Sequence, residues 1–384
     1  MPNFFNRYRA YLSGFCLSLT AALPAYISSS YLATAAGERT VGFIYTIASL
    51  ATILALMALP HALARRPRLT ISLSLIITLA ATLVLALTPD STSILLAFII
   101  YSVGNIVLHF IVDLELEHSS RDENTGSIRG AFLMIVNLGW FVSPFLAATL
   151  IGTGNAYSRV FAAAALATLP LLLLINRRGG EIRADGRSPF TTLKLLFWQG
   201  EHSDLARIIS VDFLLQIFYA IMVIYIPLYL HETIGLGWPK IGIIFTWMLL
   251  PFVLLDYPLG LIADRYLGEK EILIGAIIII AIATMSISFI ASGLILVWAV
   301  TLFMTRVGAA SIEAMKEIYL FKKITAADAD VLALSRNLVP LSYIIAPLLA
   351  TIFLFFLPLR FIFLALGLVM LLALFPALKL RDTK

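Results

Sequence analysis

The chain has 384 residues, of which 61% are hydrophobic and only 13% are charged, and its mean hydropathy is +0.98. A soluble chain of this length needs roughly a quarter charged residues to cover its surface, so these values exclude a soluble protein and indicate one embedded in a lipid bilayer. The formal charge of +5 does not indicate a nucleic-acid partner, because the basic residues lie in short loops beside apolar segments.

Long apolar segments fill most of the chain. A helix that crosses a bilayer needs about 20 mostly apolar residues, since no water is available there to hydrogen-bond the backbone. Twelve segments meet this requirement, so the sequence predicts an all-α integral membrane protein with twelve transmembrane helices. In chain order the predicted spans are 10–33, 40–64, 69–88, 93–114, 126–151, 157–176, 204–230, 239–263, 271–291, 294–320, 326–356 and 359–380.

The first segment also fits a secretory signal. Arg7 and Arg9 precede it, and it ends in Ala33-Thr34-Ala35, which resembles a cleavage site. Its length, and the internal repeat that includes it, favour a retained span over a cleaved leader.

The distribution of Lys and Arg predicts the orientation of the spans. Loops on the side that carries the amino terminus hold nearly all of them, Lys316 included, and this excess is typical of the cytoplasmic side. The sequence therefore predicts an integral protein of the plasma (inner) membrane with both termini in the cytoplasm. The basic residues assigned to the outer loops are only Arg39, Arg159, Lys240 and Arg360.

A polar stretch at 177–203 separates six predicted spans from six others. It predicts an N-terminal half at 1–176, a cytoplasmic linker at 177–203 and a C-terminal half at 204–384. Two alignments indicate that the halves are duplicated. Residues 41–46 of the second span align with residues 241–246 of the eighth, and Val103-Gly104 of the fourth aligns with Val307-Gly308 of the tenth. We therefore predict two pseudo-symmetric six-helix halves.

The most specific motif follows the eighth span. Its residues are Gly260, Asp264, Arg265, Gly268 and Lys270. This pattern resembles the cytoplasmic loop motif of the major facilitator superfamily, in which the aspartate and the basic residues latch the cytoplasmic side of the two halves. By resemblance these five residues form such a latch; the alternative is a capped basic loop with no gating role.

The first half departs from the family pattern. The corresponding stretch has Pro60 where the family has glycine and Ala64 where it has aspartate. Closure of the cytoplasmic side is therefore expected to depend on the second copy of the motif.

One charged residue falls deep inside a predicted span. Arg306 lies about 18 Å into the tenth span, close to the middle of a hydrocarbon core about 30 Å thick. Lipid exposure of a charge costs at least about 2.5 kcal/mol there, so Arg306 must face a watery cavity or a partner. Two interpretations stay open: a contact for an anionic or polar solute, and a structural ion pair. Glu313 follows two turns later on the same face.

Polar residues also recur at helical spacing in other spans. In the family that the chain resembles, the first, fourth, seventh and tenth helices line the central cavity. We therefore assign a substrate cavity and a set of protonatable coupling residues to the polar positions of the fourth, seventh and tenth spans, and add Asp256 of the eighth span to the coupling residues. The cavity residues are Tyr101, Asn105, His109, Gln216, Tyr219 and Arg306. The coupling residues are Asp113, Asp212, Asp256 and Glu313.

Transport by this protein must be driven by an ion gradient or be passive. The sequence has no nucleotide-binding Gly-x-x-x-x-Gly-Lys-Ser/Thr motif, and we predict no cofactor and no metal. The predicted function is a secondary transporter, not an enzyme, that moves a small organic solute by alternating access and acts as a monomer, with proton coupling as a hypothesis. The alternatives are a transporter-like receptor or scaffold without transport, and a polytopic membrane enzyme.

Overall fold

The computed structural model describes residues 2–119, 125–175, 203–263, 268–323 and 329–381. The described residues form helices joined by short connections, and no strand occurs among them. The first eight helices are α1 (Pro2–Ala25), α2 (Ser28–Ala36), α3 (Glu38–Arg65), α4 (Pro67–Leu87), α5 (Ser91–Ser119), α6 (Thr125–Ile151), α7 (Tyr157–Thr168) and α8 (Leu171–Leu174). The remaining helices are α9 (Ser203–Leu228), α10 (Trp238–Ile262), α11 (Glu269–Ile287), α12 (Ile295–Lys323), α13 (Ala329–Phe356), α14 (Phe361–Leu372) and α15 (Leu374–Leu378).

Within the described residues, eleven helical segments are long and apolar enough to cross a membrane, and α1 with α2 forms a twelfth as a bent pair. The predicted twelve-helix membrane fold is thereby confirmed. Helix α9 continues as a π-helical turn over Tyr229–Thr233, so the seventh segment runs from Asp204 to Thr233.

The first span is broken rather than straight. Its two parts are bent by 47° between Ala25 and Ser28. Pro24 lies next to the break, and proline removes a backbone donor and crowds the preceding turn of a helix. At the break, the Pro24 carbonyl oxygen accepts hydrogen bonds from the Ile27 amide at 3.0 Å and the Ser28 hydroxyl at 2.8 Å. These bonds satisfy the backbone at the bend where lipid could not.

The chain divides into two compact units. The first consists of Met1–Ala184 with Gly237–Gly242, and the second consists of Asp185–Leu236 with Ile243–Lys384. The predicted linker at 177–203 lies almost entirely outside the described residues, so the predicted division there stays a prediction.

The same helix pairs pack together in both units. In the first unit α4 packs on α5 and α7, and α1 packs on α5 and α6. In the second unit α11 packs on α12 and α14, and α9 packs on α12 and α13. Each of these contacts joins spans at equivalent positions in the two halves, and this repetition confirms the predicted pseudo-symmetric fold.

A large apolar core lies inside the first unit. Leu17, Leu75, Leu108, Phe132 and Leu171 meet in it from five different helices. Helix α1 therefore packs as an integral part of the first unit.

Two aligned glycines lie where neighbouring helices approach each other closely. Gly104 of α5 lies against Thr78 of α4, and Gly308 of α12 lies against Ala276 and Ile280 of α11. A Cβ atom at Gly308 would be 2.8 Å from the Ala276 carbonyl oxygen and 2.7 Å from the Ile280 Cβ. Small residues permit such close backbone approach between membrane helices.

We expect Gly308→Ala to lower the free energy of unfolding by about 1 to 3 kcal/mol, because the added methyl group meets the backbone of α11 and forces the helices apart. The matched control is Gly275→Ala. Gly275 also lies in a helix, but nothing lies within 4 Å of its added Cβ. There the change is expected to stabilise by about 0.5 to 1 kcal/mol. Unfolding of the two variants in the same detergent would show opposite signs; equal effects would contradict the close contact.

A carboxylate caps α5 outside the membrane-spanning segments. The Ser93 amide donates to the Asp90 carboxylate at 2.8 Å, and this hydrogen bond lowers the pKa of Asp90 below its usual value. Because the pKa of Asp90 is depressed in the folded state, the cap stabilises the fold fully at a pH above the ordinary pKa of about 3.9. This stabilisation is lost as the pH falls through the folded pKa. We expect the exchange protection of the Ser93 amide to fall in that acidic window. Asp90→Asn, which keeps a capping oxygen without a charge, should remove the pH dependence.

Candidate functional site

Three polar side chains lie on one face of α9. Asp212, Gln216 and Tyr219 are spaced by four and three residues, which places them above one another on the helix. The Gln216 amide donates to the Asp212 carboxylate at 3.0 Å, so the predicted alignment of these residues is present in the structure.

Asp212 is the centre of a buried polar cluster. It is only 2% exposed and accepts hydrogen bonds from the Ser335 hydroxyl of α13 at 2.5 Å and from the Lys316 ammonium of α12. Lys316 is itself 9% exposed. Removing one partner of a buried ion pair leaves an uncompensated charge, at a cost of about 3 to 5 kcal/mol. The cluster therefore ties three helices of the second unit together.

The structure corrects the assignment of Lys316 to a cytoplasmic loop. Lys316 lies inside α12, which runs to Lys323, and it also lies inside the predicted tenth span at 294–320, although the count of basic residues placed it in an inner loop. The sequence carries a signal for this, since Met315, Ile318 and Tyr319 surround the lysine with apolar residues. Ser335 also escaped prediction, because serine in an apolar helix is common and indicates no particular partner.

Arg306 of α12 is almost completely buried, with 1% of its surface exposed. Its guanidinium carbon lies 5.2 Å from the centre of the Phe218 ring and 5.5 Å from the centre of the Tyr219 ring. Within the described part of the chain, its Nε and Nη1 atoms have no hydrogen-bond partner. The charged residue is thus buried inside α12, and among the described residues it forms no ion pair.

The two aromatic contacts do not balance this burial. A desolvated cation–π contact contributes about 0.5 to 2 kcal/mol. Burial of an ion costs several kcal/mol, and each buried donor left without a hydrogen bond costs about 1 to 3 kcal/mol more. Arg306 is consequently a cation that lacks an anionic partner from the described residues.

Glu313 lies two turns after Arg306 on α12. Its Oε2 atom accepts a hydrogen bond from the Tyr219 hydroxyl at 2.7 Å. Tyr219 therefore touches both charged residues, since its ring lies beside the Arg306 guanidinium and its hydroxyl binds the carboxylate. The site contains two basic residues, Arg306 and Lys316, and two acidic residues, Asp212 and Glu313. Of these four described residues, only Asp212 and Lys316 form an ion pair with each other.

The polar residues of α5 are placed differently. The Tyr101 hydroxyl donates to the Thr20 carbonyl oxygen at 2.8 Å, and the ring packs on Phe161. The His109 Nδ1 atom lies 2.9 Å from the Asn105 carbonyl oxygen of its own helix. Asn105 is 6% exposed, and both atoms of its amide lack a hydrogen bond of normal geometry to a described residue. Of this stripe, Asn105 has the most unmet hydrogen-bonding capacity.

Several predicted residues fall outside what the structure describes. Asp264 and Arg265 of the predicted latch lie in the undescribed segment 264–267, and the side chains of Asp113 and Asp256 are likewise not described. Gly268 begins α11 with a φ of 89°, a backbone conformation that only glycine adopts readily. This accounts for a glycine at Gly268 independently of any gating role. Among the described residues no group of three or more His, Cys, Asp or Glu side chains could hold a metal ion.

Comparison with known proteins gives two kinds of match. A family model described as Major Facilitator Superfamily matches residues 10–315. Among curated protein sequences, none matches the chain.

Three solved structures are similar in fold. A mutant of the nucleoside transporter NupG superposes with a TM-score of 0.74 at 12% identity, over 98% of this chain and 99% of that one. NupG itself gives 0.72 at 12% identity, over 98% of both chains. The human organic anion transporter MFSD10 (TETRAN) gives 0.65 at 17% identity, over 98% of this chain and 100% of that one. At these identities the likeness shows the fold alone.

Proposed function

The chain belongs to the major facilitator superfamily, and we propose that as a secondary transporter of this family it moves a small organic solute by alternating access. The observation that carries the site assignment is Arg306, a buried guanidinium without a hydrogen-bonding partner for its Nε and Nη1 atoms among the described residues. A charge inside a membrane helix marks a solute or ion pathway by default, because lipid and protein packing both penalise it.

We propose that Arg306, Tyr219 and Gln216 contact the solute in the second unit. Tyr219 supports this role because it joins the guanidinium to the Glu313 carboxylate. For the first unit Asn105 is the strongest proposed contact, since neither atom of its buried amide has a hydrogen bond of normal geometry to a described residue. Tyr101 and His109 are also proposed to contact the solute, although the Tyr101 hydroxyl and the His109 Nδ1 atom already bind backbone carbonyl oxygens.

Proton coupling is proposed through the carboxylates. Asp212 already has a cation and two further donors, whereas Glu313 accepts one described hydrogen bond, from Tyr219. Of these two, Glu313 is therefore the better candidate to exchange a proton during transport. Asp113 and Asp256 stay proposed on their position in the sequence alone.

The remaining proposals follow from the sequence and the family. We place the protein in the plasma membrane with both termini in the cytoplasm, because Lys and Arg are concentrated on that side. The motif formed by Gly260, Asp264, Arg265, Gly268 and Lys270 is proposed to latch the cytoplasmic side. One chain is proposed to suffice for transport.

Reconstitution into liposomes tests the proposed function. Proteoliposomes with an inward proton gradient are offered a mixture of anionic, neutral and cationic metabolites, and the contents are compared with those of empty liposomes. A solute that accumulates only with protein supports transport, and loss of accumulation with a protonophore supports proton coupling. Saturable binding of a solute without any flux would overturn the transporter and favour a receptor.

A further inference from the structure

Arg306 also carries information about the chemistry of the solute, on the premise that the proposed transport function holds. Its guanidinium faces two aromatic rings, and its Nε and Nη1 atoms find no acceptor among the described residues. An oxyanion can accept the hydrogen bonds that such a guanidinium lacks, because the guanidinium matches the geometry of carboxylate and phosphate oxygens.

The described acidic residues Asp212 and Glu313 of α9 and α12 have other partners. The Asp212 carboxylate is taken by Lys316, Gln216 and Ser335. Glu313 accepts from Tyr219 and forms no ion pair with a described cation. Nothing described in the chain therefore supplies the anion that Arg306 lacks, so we propose that the transported solute carries a carboxylate and binds Arg306 through it.

The charge balance favours a carboxylate over a phosphate. A carboxylate brings one negative charge, which one guanidinium can offset, whereas a phosphate monoester brings about 1.5 to 2 at neutral pH. A second cation would be needed for the phosphate, but Lys316 is committed to Asp212 and the Glu313 carboxylate would repel the added charge.

The Tyr219 ring beside the guanidinium, together with the Phe252 ring that contacts it, indicates the rest of the solute. The Tyr219 and Phe252 rings lie 6.4 Å apart between centroids, and both residues are partly exposed. Aromatic faces of this kind pack against flat or apolar groups in an offset or edge-on arrangement. The site thus fits a small organic acid with a flat or apolar body.

Matched acid and amide pairs test this inference on the purified full-length protein. Benzoate, phenylacetate and nicotinate are compared with benzamide, phenylacetamide and nicotinamide in thermal unfolding, with phenyl phosphate as a further arm. We expect at least one acid to raise the Tm of the wild type by about 2 °C or more, while its amide does not. Phenyl phosphate is expected to give a smaller shift than benzoate.

Two variants locate the effect. Arg306→Met should abolish the shift, whereas Arg360→Met should keep it, because Arg360 also stacks on an aromatic ring, at 4.7 Å from Phe361, but is exposed. The inference is overturned if the amides stabilise as well as the acids, if no acid stabilises, or if Arg306→Met keeps the shift. A larger shift with phenyl phosphate would overturn the choice of carboxylate. If Arg306→Met does not fold, the wild-type comparison of acids with amides still decides.

Failure of this inference can be told apart from failure of the proposed function. Transport of a neutral or cationic metabolite by the proteoliposomes, with no acid carried, would overturn the inference and leave transport intact. Stabilisation by acids without flux of any solute would support the anion site and overturn transport.

Discussion

Replacing Asp212 by asparagine is expected to lower the free energy of unfolding by about 3 to 5 kcal/mol. The change keeps the size of the side chain but removes the negative charge, and so leaves the Lys316 ammonium buried without its counter-ion. The effect should be large because Lys316 and Ser335 reach Asp212 from two other helices. Denaturant or thermal unfolding of the purified protein in detergent micelles measures it.

The double variant Asp212→Asn with Lys316→Met provides the decisive comparison. It removes the orphaned charge, so it should recover much of the loss that Asp212→Asn causes alone. Glu232→Gln is the matched control at an exposed carboxylate, which lies 3.9 Å from the His231 ring, and should change stability by less than about 1 kcal/mol. A loss below about 1 kcal/mol for Asp212→Asn would show that the cluster does not hold the helices together.

Replacing Arg306 by methionine is expected to lower transport by about 30-fold to about 4,000-fold. Methionine fills the space between Phe218 and Tyr219 but offers no donor to the solute. Truncating one side of a buried charge-assisted contact costs about 2 to 5 kcal/mol, and each 1.4 kcal/mol is a factor of ten in binding. The initial rate of uptake into proteoliposomes, for the solute that the wild type accumulates, is the quantity to measure.

Arg360→Met serves as the control for this change, since it removes an exposed arginine that also contacts an aromatic ring. Its uptake should match the wild type, and the amount of folded protein in the liposomes should be equal for all three proteins. Uptake by folded Arg306→Met at the wild-type rate would remove Arg306 from the solute pathway.

Much of the fold was predictable, because a bilayer imposes one dominant requirement on a sequence. Every span must be apolar over about 20 residues, so the number and order of spans can be read from the chain. The break in the first span was not predicted, although Pro24 lies there, because proline is tolerated in many membrane helices. The π-helical turn at Tyr229–Thr233 has no signal in the sequence that we recognise.

The candidate site was predictable only where its residues share a helix. Helical spacing identifies Asp212, Gln216 and Tyr219 in the sequence, and depth within an apolar segment identifies Arg306. Contacts between helices have no such period: Lys316 and Asp212 lie 104 residues apart in the chain, and only the packing of α9 and α12 brings them together. The count of basic residues that predicted the orientation also treated Lys316 as a loop residue, so its ion pair with Asp212 was not predicted.

The glycine contact between α11 and α12 bears on how the site responds mechanically. Gly308 lies two residues after Arg306, and there α12 lies directly against the backbone of α11. Because Gly308 has no side chain to separate the two helices, we expect α11 and α12 to move together as a rigid pair. If Arg306 binds the solute as proposed, we expect any shift of α12 on binding to carry α11 with it, so that the two helices move as a pair.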